Sequence, residues 1–116
     1  ATAIDQDHYQ APGTPHSVMI ALSKGQKKVT QILNLRGMHS DEAIDLALKT
    51  IDQHYPSGCI LIIHGQGHRS IHQSPIIKNL IWEYLPKHPR VIGMCTACAK
   101  DGGPGASYIL LKKNKR

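Results

Sequence analysis

Cys59-Ile60-Leu61-Ile62-Ile63-His64-Gly65-Gln66-Gly67 is the segment from which the architecture can be inferred. Five apolar residues in a row, three of them β-branched, read as a strand covered on both faces, because a strand with one wet face alternates. The run ends in a turn where two glycines permit positive φ and let a phosphate approach backbone N–H groups. A histidine at the mouth of a buried strand can donate to a phosphate or exchange protons near neutral pH. His-Gly-x-Gly alone also fits a plain tight turn. Its position after a buried strand is what makes it a candidate site.

On either side the chain alternates strand and helix. Upstream, Val29 to Leu35 reads as a strand ended by Gly37. Ser40 is a good N-cap, Asp41 and Glu42 suit the first helical turn, and Ile44, Leu48, Ile51 and Tyr55 follow at helical spacing up to Pro56-Ser57-Gly58. Downstream, Ser74-Pro75 starts a second helix with Ile77, Leu80, Ile81 and Tyr84 as its apolar face, and Pro86 stops it. Val91 to Met94 is a third strand, Asp101 to Gly105 a connection, and Ser107 to Leu111 a fourth strand. The expected fold class is α/β, an α+β two-layer sandwich of order β-α-β-α-β-β: a mixed four-stranded sheet packed with two helices. Residues 1–28 form an N-terminal arm, extended to about residue 15, with a short helix over 16–23 that aligns Val18, Met19 and Leu22. The domain proper spans 29–112, and 113–116 is a basic tail.

The 116 residues suit one compact domain. Apolar residues make up 41% but aromatic ones only 4%, with no Phe, so the core must be aliphatic. No apolar run approaches the roughly 18 residues of a membrane span, and the first seven residues lack the basic start and apolar stretch of a signal peptide. Three cysteines, one in the apolar run, fit a reducing compartment. The expectation is a monomer in the cytoplasm with no membrane contact. The net charge is +6, with Lys112, Lys113, Lys115 and Arg116 gathered at one end. Such a tail suits phosphate contacts or solubility alone.

Topology then places the loops. Right-handed strand–helix–strand crossovers make the first three strands parallel, and a returning fourth strand starts where they end. Three segments therefore converge on one rim: Asn34-Leu35-Arg36-Gly37, His64-Gly65-Gln66-Gly67 and Asp101-Gly102-Gly103-Pro104-Gly105. That rim is the usual ligand edge of α/β sheets. His64 and Arg36 are the candidate catalytic residues, His64 for proton transfer and Arg36 for a two-pronged phosphate contact. Asn34, Gly65, Gln66, Gly67, Arg69, Gly102, Gly103 and Gly105 are the candidate phosphate-binding residues. Lys27, Lys28 and Lys112 fall at the opposite edge, roughly 15–20 Å away at about 3.3 Å per strand residue. His39, His64, His68 and His72 with Cys95 and Cys98 match no structural-zinc spacing. Among eight carboxylates only Asp101, Asp41 and Glu42 can reach the rim, fewer than a two-metal nuclease needs.

Together and in order, Leu33-Asn34-Leu35-Arg36-Gly37, Glu42-Ala43, Ile62-Ile63-His64-Gly65-Gln66-Gly67 and Gly102-Gly103-Pro104-Gly105-Ala106-Ser107-Tyr108-Ile109 resemble the Smr (small MutS-related) domain over about residues 29–112. The segment with Val18-Met19 and Leu22-Ser23-Lys24-Gly25 looks like the one that precedes this domain in stand-alone bacterial members. The resemblance implies a fold like the C-terminal domain of translation initiation factor three, binding of DNA or RNA, and nicking endonuclease or ribonuclease activity. His64, Gly65 and Gly67 match the family's His-Gly-x-Gly positions, and Gly102, Gly103, Gly105 and Ala106 match its late glycine motif. Many members carry Leu-Asp-x-His-Gly at the first strand end, where this chain has Asn34 and Arg36. Asn cannot act as a carboxylate base, and Arg cannot be deprotonated.

The expected function is a nucleic-acid-binding domain that nicks phosphodiester bonds. The alternative is a non-catalytic DNA- or RNA-binding module that lost the family's Asp and His positions. A third reading is a small-molecule nucleotide site on the glycine loops. Mg²⁺ or Mn²⁺, held mainly by substrate phosphates, is compatible with the first, although the sequence shows no ligand set for it.

Overall fold

The computed structural model describes residues 8–53, 58–65 and 76–112. Its strands are β1 (His8–Gln10), β2 (Val29–Asn34), β3 (Cys59–Ile63), β4 (Val91–Thr96) and β5 (Ala106–Leu111); its helices are α1 (His16–Ser23), α2 (Ser40–Gln53) and α3 (Ile76–Tyr84). Short 3₁₀ turns occupy Leu85–Lys87, Ala99–Asp101 and Gly103–Gly105.

The sheet order is β1-β4-β5-β3-β2. β2 runs parallel to β3, while β5 runs antiparallel to both β3 and β4. β2, β3 and β4 therefore point the same way, and β5 is inserted between β3 and β4 against them. All six residues of β5 are buried, the consequence of a central place in a sheet covered on both faces. The sheet is mixed as expected but has five strands, not four. His8–Gln10, expected as irregular arm, adds to the far edge by pairing antiparallel with β4 through His8–Cys95 and Gln10–Gly93.

α2 and α3 cover one face of the sheet. There Leu33, Ile60, Ile62, Met94 and Ile109 meet Ala43, Ala47 and Ile51 of α2 and Ile81 of α3. The helical pattern puts Ile44 and Leu48 at the centre of the α2 face, but they are only partly buried and flank it. The line against the sheet is Ala43-Ala47-Ile51, because small side chains let the helix approach closely. Tyr84, expected on the buried face of α3, is exposed, with the Lys87 ammonium 5.4 Å from its ring centre. Tyr55 lies outside the described residues. Among the described residues the other face carries only α1, whose buried Met19 and Leu22 pack on Cys95, Tyr108 and Leu110. Gly93 makes this possible: a Cβ there would lie 2.6 Å from the Met19 sulfur. No helix among the described residues is long and apolar enough to cross a membrane.

Candidate active site

The rim is fixed by strand register. Asn34 pairs with Ile63 and Ile63 with Ala106; Ser107 stands beside both Ile62 and Thr96. The ends of β2, β3 and β4 and the start of β5 thus share one edge. Backbone bonds continue the ladder past the strands: Leu35 N–H donates to the Ile63 carbonyl at 2.8 Å, and Ala97 N–H to the Ala106 carbonyl at 3.1 Å.

Arg36 is exposed and leaves β2 directly over β3, so that a Cβ at Gly65 would meet its Cγ at 3.4 Å. Its partner is Asn34, whose Oδ1 accepts from the Arg36 backbone N–H at 3.1 Å and from Nε at 3.3 Å. An Asx turn of this kind aims the guanidinium. The Asn34 Oδ1 is therefore engaged by Arg36.

His64 is 5% exposed, packed inward on the α2–α3 side. Its Nδ1 lies 2.9 Å from the Gly65 carbonyl and its Nε2 2.8 Å from Ser107 Oγ, which also accepts from Trp82 Nε1 at 3.1 Å. A carbonyl only accepts, so these partners place the proton on Nδ1. Nε2 then accepts from the Ser107 hydroxyl, and Trp82 donates to Ser107. The ring closes a chain running from Trp82 through Ser107 and His64 to Gly65. His64 is thus closed inside in the free protein: a half-polar ring at the end of a buried strand has found partners there. Ser107 and Trp82 were not singled out from the sequence. The signals were a lone hydroxyl in the apolar run Ala106–Leu111 and the single Trp, an indole that needs an acceptor when buried.

The glycine loops are brought together, but by their own bonds. The Gly105 carbonyl accepts from both His64 N–H and Gly65 N–H, at 3.0 and 2.9 Å. Gly103 N–H donates to Cys98, Gly102 N–H to Ala99 and Gly105 N–H to Gly102. Gly102 (φ +119°) and Gly103 (φ +55°) adopt left-handed conformations that fold the loop back on itself. The N–H groups expected to cradle a phosphate at Gly65, Gly102, Gly103 and Gly105 are therefore already donated within the chain. Gln66, Gly67 and Arg69, with His68 and His72, lie outside the described residues.

The α1 side of the same rim holds a different cluster. Tyr108 donates its hydroxyl to Asp101 Oδ2, and Cys98 Sγ lies 3.0 Å from that hydroxyl. Burial, then the Asp101 and Cys98 bonds, push the Tyr108 phenol well above its ordinary range. Burial, followed by the neighbouring thiol, raises Cys59 and Cys95 to about 12. No group of three or more His, Cys, Asp or Glu side chains able to hold a metal occurs among the described residues.

Comparison with known proteins gives a consistent set of similarities. The Smr domain model matches residues 33–112. The probable DNA endonuclease SmrA of Escherichia coli (strain K12) is 29% identical over 107 residues, covering 90% of this chain and 57% of SmrA. Endonuclease MutS2 of Helicobacter pylori (strain ATCC 700392 / 26695) is 32% identical over 87 residues, covering 73% of this chain and 11% of MutS2. The chain thus spans little more than half of one relative and about a tenth of the other. The crystal structure of YdaL, a stand-alone small MutS-related protein from Escherichia coli, superposes with a TM-score of 0.72 at 25% identity, covering 91% of this chain and 82% of YdaL.

Proposed function

The chain belongs to the Smr domain family, and from that membership we propose that it binds nucleic acid at the rim and nicks a phosphodiester bond there. Relatives named as endonucleases support a nuclease-type activity at the level of the family. The observation that carries the reading for this chain is the exposed Arg36, aimed by Asn34 and seated over Gly65 where four strand ends meet.

The planar guanidinium of Arg36 offers paired donors to a phosphate. It holds the scissile group and offsets charge that develops on it. His64 supplies the proton acceptor. Its Nε2 carries the lone pair, and the ring takes part once bound substrate draws it away from Ser107 toward the rim. Hydrogen bonds in a free active site often rearrange when substrate arrives. Mg²⁺ or Mn²⁺, where used, is held by substrate phosphates, and no step is routed through it.

A second reading, a binding module without catalysis, draws on specific observations: the Asn34 side chain is engaged by Arg36, and His64 is closed inside. Nicking of supercoiled plasmid and cleavage of structured RNA, each with Mg²⁺ and with Mn²⁺, separate the two. Wild type is expected to cut, and Arg36→Ala to lose about 10²–10³-fold, as when an electrostatic donor is removed from other active sites. His64→Ala cutting as fast as wild type removes that residue from the chemistry. Salt-dependent binding with no cleavage under either metal selects the module.

A further inference from the structure

The charges divide between the two sides of the sheet. Of the six carboxylates among the described residues, Asp41, Glu42, Asp45, Asp52 and Glu83 all sit on α2 or α3. The sixth, Asp101, accepts the Tyr108 hydroxyl. Lysines on the helical side, Lys49, Lys78 and Lys87, are set among these carboxylates, Lys49 pairing with Asp45 at 3.2 Å.

The α1 side is the reverse. Lys24, Lys27 and Lys28 all fall in the short connector between α1 and β2. Lys100 is packed against that connector, since a Cβ at Gly25 would meet its Cε at 3.4 Å. Lys24, Lys28 and Lys100 are exposed, and Lys27 is half-buried. Lys100 directly precedes Asp101-Gly102-Gly103 and adjoins the rim; from there the connector runs across the α1 side to the opposite edge, where Lys28 precedes Val29, the partner of Cys59. Asp41 and Glu42, in the first turn of α2, occupy its other flank. A phosphate backbone leaving the rim therefore meets acidic side chains in one direction and, in the other, Lys100 first and then the lysines of the connector. Each charge acts over about 8–10 Å in physiological salt, so a backbone meets these lysines in turn along its path.

We propose that Lys24, Lys27, Lys28 and Lys100 form the track for the nucleic-acid backbone flanking the rim, so that the ligand leaves Arg36 across the α1 side of the sheet. The inference rests on the reading of the rim as a nucleic-acid site and adds the path of the ligand to it. In the sequence, Lys113, Lys115 and Arg116 follow Lys112, but the track does not depend on them.

The test is the salt dependence of binding, read by fluorescence anisotropy with a short labelled DNA duplex and, separately, a labelled RNA hairpin. Each lost phosphate contact lowers the slope of log K against log salt by about 0.9 on duplex DNA. The variant Lys24→Gln/Lys27→Gln/Lys28→Gln/Lys100→Gln is expected to lose about two to four units of slope, with circular dichroism confirming an unchanged fold. The helical-side variant Lys49→Gln/Lys78→Gln/Lys87→Gln should keep the wild-type slope. An unchanged slope in the first variant, or an equal fall in both, overturns the track. If that happens while Arg36→Ala still weakens binding, the rim survives and only the path is wrong. Absence of salt-dependent binding by wild type to either probe removes both.

Discussion

The two faces of the sheet bury their residues in different ways. The α2–α3 face is closed by two helices over an aliphatic core, and its polar insertion is the chain from Trp82 through Ser107 to His64. Among the described residues the α1 face is closed by a single eight-residue helix over a core that includes two cysteines and Tyr108. Outside, the first presents carboxylates and the second lysines. On the proposed path of the ligand, stability and ligand contact are separated: the better-covered face anchors the rim, and the thinly covered face is the one offered to phosphate.

That contrast is sharpest for adjacent core residues of β5, which point to opposite faces. Ile109→Ala should cost about 4 kcal/mol and Leu110→Ala about 2 kcal/mol in urea unfolding, within the range for large-to-small core changes. Equal losses would show that α1 seals its face as firmly as the helix pair. Next in size are the polar chains. Ser107→Ala strands the Trp82 indole N–H and His64 Nε2 and should cost about 1–3 kcal/mol. Tyr108→Phe on the other face leaves the half-buried Asp101 reachable by water and should cost about 1 kcal/mol or less. The reverse ranking would move the structural brace to the α1 side.

The thiols give a smaller effect with a definite sign. Cys59 and Cys95 hold their protons in the fold up to about 12, against an ordinary 9.0 when unfolded. The folded state then binds more protons, so their contribution is full below pH 9 and declines from there to about pH 12. Cys59→Ala and Cys95→Ala should each flatten that alkaline decline of the melting temperature; an unchanged decline would put its origin elsewhere. Smallest of all, Lys49→Ala removes an exposed pair with Asp45 and should shift stability by about 0.5 kcal/mol or less. A larger loss would mean that charge on the helical side does structural work.

Sequence periodicity exposed what local chemistry controls. The run Cys59–Ile63 announced a buried strand, and crossover handedness placed Asn34, His64 and the late glycines on one edge. What it could not expose were pairings between distant residues. His8–Gln10 has no pattern of its own and becomes a strand only because β4 offers a free edge. The Ala43-Ala47 stripe competes with larger neighbours that look more core-like. Burial of His64 depends on a serine 43 residues downstream and on a helix indole, and neither shows in the His-Gly-x-Gly motif. Division of charge between the faces became visible only when each helix was assigned to a side.

Amide chemical-shift mapping during titration with a short DNA duplex addresses the rim and its basic flank together. The account predicts that the largest changes fall on Arg36, Gly37, Gly65 and Lys100 to Gly105, extending to Lys24 through Lys28. Changes concentrated on the outer surfaces of α2 and α3, with Arg36 and its neighbours silent, would contradict it.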